Sequence, residues 1–318
     1  MKTPNLKKLF NGCLFLGATA LLATPAFATE DASCKSVRMG VVNWTDVIAT
    51  SAVADVLLNG LGYESKQTSA VQQIIFAGIR DKRLDIFLGY WKPAMDKNIE
   101  PFVAANQVKV MASPSLSDAQ ATLAVPQYVA DAGLKTFADI AKFKDQLKGT
   151  LYGIEPGSGA NTTIKTMIDT NHFGLKGFKL VESGEAGMLA AVQRAINRKE
   201  FVVFVGWTPH PMNINMKIAY LTGSEDVYGP NEGAATVSTV TAPDYAQRCP
   251  NVNRLLENLT FTSAQESQLM VPIMERQSPQ DVARQWLRDH PQDLKRWLAG
   301  VTSIDGKEGV ATVQASLK

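Results

Sequence analysis

One nine-residue plan occurs twice in this chain, and it constrains the fold more than any other feature. Phe87-Leu88-Gly89-Tyr90-Trp91-Lys92-Pro93-Ala94-Met95 and Phe204-Val205-Gly206-Trp207-Thr208-Pro209-His210-Pro211-Met212 share the order aromatic, aliphatic, Gly, Trp, Pro, Met. Each follows an amphipathic segment that ends in a basic turn, at 80–83 and 194–199. A repeated helix-strand-Trp unit predicts two structurally analogous lobes.

Around these units, short apolar runs alternate with amphipathic segments, the pattern of an α/β protein with mostly parallel strands flanked by helices. Strands are expected at 37–42, 85–88, 122–125, 151–154, 201–205 and 236–240. Helices are expected at 48–59, 71–82, 137–146, 160–171, 186–198, 264–275, 279–289 and 291–299. The chain is expected to cross between lobes near 122–126 and again near 231–236. That gives one lobe from 29–121 plus 237–318 and a second from 122–236.

The start of the chain reads as a secretory leader: basic residues up to Lys8, an apolar run from Leu14 to Ala23, then Ala26-Phe27-Ala28 as a small-x-small cleavage site. Residues 1–28 are therefore expected to be removed, leaving an exported, periplasmic protein. Cys13 follows Phe10-Asn11-Gly12, a poor lipoprotein box. The leader holds three of the 32 basic side chains and none of the 30 acidic ones, so the mature chain carries 29 against 30. So even a balance leaves no electrostatic footprint for nucleic acid. No later run of 18 apolar residues offers a membrane span.

Export leaves Cys34 and Cys249 in a compartment that permits disulfides, and one bond between them is expected; two buried thiols are the alternative. His172, His210 and His290 are scattered without ligand spacing, so neither zinc nor another metal is expected, and no motif calls for a cofactor.

Three of the five tryptophans fall just past expected strands, where ligands sit in open parallel sheets: Trp44, Trp91 and Trp207. Trp286 and Trp297 lie within helical patterns and read as packing residues. Several indoles around one cleft suit a quaternary ammonium, which offers no conventional hydrogen bond and is held by aromatic faces. Asp46, two residues past Trp44, adds negative charge there, or serves as the N-cap of the next helix. A sugar site would want more polar side chains. The turn from Gly153 to Asn161 leads into a helix and can present amides and the Ser158 hydroxyl, or be only a helix start. It matches neither a phosphate loop nor a hydrolase elbow.

Asn43-Trp44-Thr45-Asp46, Leu88-Gly89-Tyr90-Trp91, Tyr152-Gly153-Ile154-Glu155-Pro156-Gly157, Gly206-Trp207-Thr208-Pro209-His210-Pro211-Met212 and Cys249-Pro250-Asn251-Val252 closely resemble the periplasmic choline and glycine betaine binding proteins of ABC importers. The resemblance spans the mature chain. It implies a two-lobed periplasmic binding protein of type II that closes on its ligand and delivers it to a membrane permease; binding without chemistry, not an enzyme, is expected, and a monomer suits such a shuttle. It also implies an aromatic box of Trp44, Trp91 and Trp207 with Asp46 facing the ligand; Tyr90, Ser158 and His210 join them as candidate contacts. Cys34 and Cys249 match the family's disulfide positions. Two positions depart from choline-binding relatives: Ala121 stands where they carry a tyrosine, and Ser158 where they carry an asparagine. The lost ring opens volume, so the expected ligand is a trimethylammonium compound, carnitine ranking at least with choline and ahead of glycine betaine. Rival readings are a secreted choline-ester hydrolase using His210 and Ser158, and a sensory protein that presents its ligand to a receptor.

Overall fold

A computed structural model describes residues 30–318; the leader expected over 1–28 lies outside the described residues. In the first wing of the sheet, β1 (Ser36–Val41) is flanked in parallel by β2 (Glu64–Ser69) and β3 (Ile86–Lys92). The chain continues through β4 (Lys109–Val110) into the long β5 (Leu116–Pro126). In the second wing, β6 (Thr150–Tyr152) is flanked in parallel by β7 (Lys179–Val181) and β8 (Phe204–Thr208). β9 (Ile218–Tyr220) pairs with β5, and β10 (Ala234–Thr241) returns the chain to the first wing. The sheet order is β2-β1-β3-β10-β5-β8-β6-β7.

The two wings are built alike. Each has three parallel strands, and a long antiparallel strand closes its inner side: β10 beside β3 in the first, β5 beside β8 in the second. The repeated units fall on β3 and β8, which occupy equivalent places. Lys92-Pro93 and Thr208-Pro209, at the ends of these strands, are both cis peptides. The parallel pairing expected from sequence holds in the wings. The middle strands run antiparallel because the chain crosses between wings once in each direction, and β5 and β10 pair with each other there.

Strand β5 changes partner along its length: Leu116, Ala119 and Gln120 face β10, whereas Gln120 to Ala124 face β8. Gly233, just before β10, has φ +87°, and a Cβ there would overlap the carbonyl oxygen of Ala121. Glycine alone meets both conditions.

Helices cover both faces. In chain order they include α1 (Thr45–Gly60), α2 (Gln72–Arg80), α3 (Asp96–Ala104), α4 (Gln127–Asp131), α5 (Gly159–Asp169) and α6 (Glu185–Arg198). α1 is buried on nearly every side, because the C-terminal helices Ser263–Met274 and Pro279–Asp289 pack against it. The helix expected over 137–146 is a 3-10 segment, Phe137–Phe143, with a Thr136/Asp139 capping box. Trp297 is fully buried against Phe261, and its indole N–H donates to the Thr260 carbonyl at 3.0 Å.

Cys34 and Cys249 are bonded, with Cα atoms 5.6 Å apart, and tie the start of the folded chain to a point 215 residues later. Nearby, Glu30 accepts from the backbone N–H of Asn251 at 2.5 Å and from the Tyr63 hydroxyl at 2.6 Å. Among the described residues no helix is long and apolar enough to cross a membrane, and no group of three or more His, Cys, Asp or Glu side chains could hold a metal ion.

Candidate ligand site between the wings

The loops at the carboxyl ends of β1, β3, β6 and β8 meet around a cavity of about 50 Å3. That is several times the roughly 10–15 Å3 one water requires. Its walls include Trp44, Asp46, Trp91, Ala121, Ser158 and Trp207, with Ile154, Met95 and Val205 adding apolar surface. The site is almost wholly apolar apart from Asp46 and Ser158. Five of the seven residues singled out from sequence are thus brought together.

Each indole is set by a local cause. Trp44 is the N-cap residue of α1, and its extended backbone turns the ring out of the helix. Its N–H donates to both carboxylate oxygens of Glu155, at 3.0 and 2.9 Å, across the gap between wings. Trp91 ends the buried run of β3, and its N–H donates to Asp46 Oδ2 at 2.9 Å. Trp207 is the last buried residue of β8, opposite Ala121, and packs edge-on against His210, ring centroids 4.8 Å apart.

Asp46 does not cap α1. It lies in the first turn, 3 % exposed, with Oδ1 buried and without a hydrogen-bond partner. Burial pushes its carboxyl up to about 6; the charge of Glu185 adds to this, and the Trp91 hydrogen bond opposes it. Burial likewise raises the half-buried Glu155, with Glu185 contributing and the Trp44 hydrogen bond opposing. Behind Asp46, Glu266 is buried and held well above the usual carboxylate range by desolvation, then by the charges of Asp46 and Asp118.

Ser158 lines the cavity and also caps α5, its Oγ accepting from the Asn161 N–H at 3.2 Å. Asn161 staples the turn before it: Oδ1 accepts from Ile154 N–H at 2.9 Å, and Nδ2 donates to the Ile154 and Glu155 carbonyls. Gly159 passes so close to the first wing that a Cβ would overlap the Ala94 carbonyl oxygen.

Two sequence candidates lie outside the cavity walls. Tyr90 precedes Trp91 on β3, so strand alternation points it to the other face, where its hydroxyl donates to Asp96, in the first turn of α3, at 2.6 Å. His210 is buried behind Trp207. Its Nδ1 accepts from the Met212 N–H at 2.9 Å, which places the ring proton on Nε2, facing Glu185 Oε1 at 3.2 Å. Both ring nitrogens are engaged, so Ser158 has no base there. Sequence reasoning missed Glu185, which also accepts from Thr45 through its backbone N–H, at 2.9 Å, and its hydroxyl.

Two α/β wings joined by a paired double crossover define the two-lobed, type II class of periplasmic binding proteins. Residues 35–289 match the family described as the substrate binding domain of ABC-type glycine betaine transport systems (OpuAC), and the chain belongs to that family. It is similar to an ABC-transporter choline binding protein solved with choline, at 43% identity and a TM-score of 0.89, covering 91% of this chain and 100% of that one. Against the unliganded, semi-closed choline binding protein the identity is also 43% but the TM-score is 0.82, covering 90% and 99%. Lactococcal OpuAC with glycine betaine, 22% identical with a TM-score of 0.75 over 82% and 98% of the two chains, shares the fold. The glycine betaine/carnitine transport binding protein GbuC of Listeria monocytogenes is 27% identical over 52% of this chain and 54% of its own length.

Proposed function

We propose that this protein captures a quaternary ammonium compound between its lobes, outside the cytoplasm, and hands it to the permease of an ABC importer without chemical change. The observation that carries this reading is the single cavity walled by Trp44, Trp91 and Trp207, with Asp46 presenting an unpartnered carboxylate oxygen. Aromatic faces attract a methylated cation by about 0.5–2 kcal/mol each, more as water is excluded. The lobes are taken as 29–121 with 237–318, and 122–236, closing about β5 and β10.

The small side chain of Ala121, opposite Trp207, leaves space where a longer guest can extend. Carnitine is therefore ranked with choline, and glycine betaine third. The engaged ring of His210 favours binding over ester hydrolysis. Calorimetric titration with the three compounds tests the reading. Micromolar or tighter binding of at least one supports it; no binding by any overturns it, and choline far tighter than carnitine removes the Ala121 argument.

A further inference from the structure

The N-cap residue of α1 and the first residue of the helix are engaged by carboxylates from the opposite lobe. The Trp44 indole N–H reaches both oxygens of Glu155, and the Thr45 N–H and hydroxyl reach Glu185. Asp46, the next residue, carries a carboxylate of its own into the cavity. Resting on the ligand reading above, we propose that Glu155 and Glu185 are positioning residues forming a closure latch that a cation in the cavity stabilises.

Opposed forces meet at this seam. Charge-assisted hydrogen bonds and the partial positive charge at the start of α1 draw the two glutamates in. The same approach sets Glu185 against both Asp46 and Glu155 in a cleft from which water is leaving, where like charges repel strongly. His210 meets Glu185 through Nε2 from outside the cavity walls, and Glu266, buried near Asp46, adds no positive charge. A permanent cation supplies the missing compensation. Accepting the indole proton edge, Glu155 also makes the Trp44 ring richer in electrons, which strengthens its pull on a cation. Wall and latch therefore form in one event.

The test compares choline with its neutral carbon isostere, in which a tert-butyl group replaces the trimethylammonium. Spin labels on the two lobes report closure, and calorimetry reports affinity. Choline, and not the isostere, is expected to shorten the distance between lobes in the wild-type protein. Glu155→Gln, which can still accept from Trp44, is expected to narrow the preference for choline over the isostere about fivefold by relieving repulsion. Glu155→Ala is expected in addition to release choline about tenfold faster, because the charged hydrogen bond is gone. A purely structural glutamate would shift both guests equally and leave the preference unchanged, which overturns the latch. Closure around the isostere as readily as around choline overturns it too. Failure of the wild-type protein to bind any quaternary amine overturns instead the ligand reading on which it rests.

Discussion

The Trp91 indole N–H donates to Asp46 Oδ2 at 2.9 Å, which leaves Asp46 Oδ1 buried and without a partner. One acid thus orients a wall of the cavity and leaves its second oxygen without a partner, free on the proposed reading to meet a cation.

That arrangement makes binding depend on pH. The Asp46 carboxyl is raised from 3.8 to about 6, so between those values the folded protein holds a proton that the unfolded chain has lost. By linkage this group favours folding most at low pH, and its contribution falls as pH rises through that window. A cationic guest prefers the ionised form, so affinity should fall as pH drops below 6, by about tenfold at pH 5. Titrations from pH 5 to 8 check this, and Asp46→Asn should flatten the profile. A flat wild-type profile would remove Asp46 from the role.

Gly159→Ala separates closure from folding. Gly159 is the first residue of α5, where alanine and glycine differ by less than the roughly 1 kcal/mol of a helix interior, so the unliganded melting temperature should change little. The added methyl, however, meets the Ala94 carbonyl of the other lobe. Affinity for the best quaternary amine should weaken by about tenfold or more, and its stabilising effect in thermal-shift assays should shrink accordingly.

The indoles and Tyr90 should behave differently. Trp91→Ala and Trp207→Ala are each expected to weaken binding tenfold or more if a ring supplies ~1.5 kcal/mol. Tyr90→Phe, which loses only the hydrogen bond to Asp96 on the opposite face, should leave affinity within about twofold of wild type. Equal losses in all three would contradict the placement of Tyr90.

Replacing both Cys34 and Cys249 with alanine releases a 215-residue loop. Denaturant unfolding should show about 2–4 kcal/mol less stability, and calorimetry an unchanged affinity, since neither residue lines the cavity.

Much of this was legible in the sequence. The apolar run before Trp91, buried on both faces in β3, announced a central parallel strand, and the echo at Trp207 announced its counterpart. β2 escaped because Glu-Ser-Lys-Gln-Thr-Ser is an exposed edge strand with no apolar alternation. Tyr90 was misplaced because adjacency in sequence means opposite faces in a strand. Glu155 and Glu185 could not be paired with Trp44 and Thr45, which lie 111 and 140 residues away. Such contacts exist only once two wings face each other, and no local pattern encodes them.

Ala121 lies on β5 at the point where that strand's pairing passes from one wing to the other, and it also lines the cavity. On the proposed reading, a guest in this cavity would sit beside the axle of the molecule, and the outer margins would sweep the widest arc on closure. Such leverage would convert a slight tightening around a few methyl groups into a large change of outline, legible to a permease that never touches the guest.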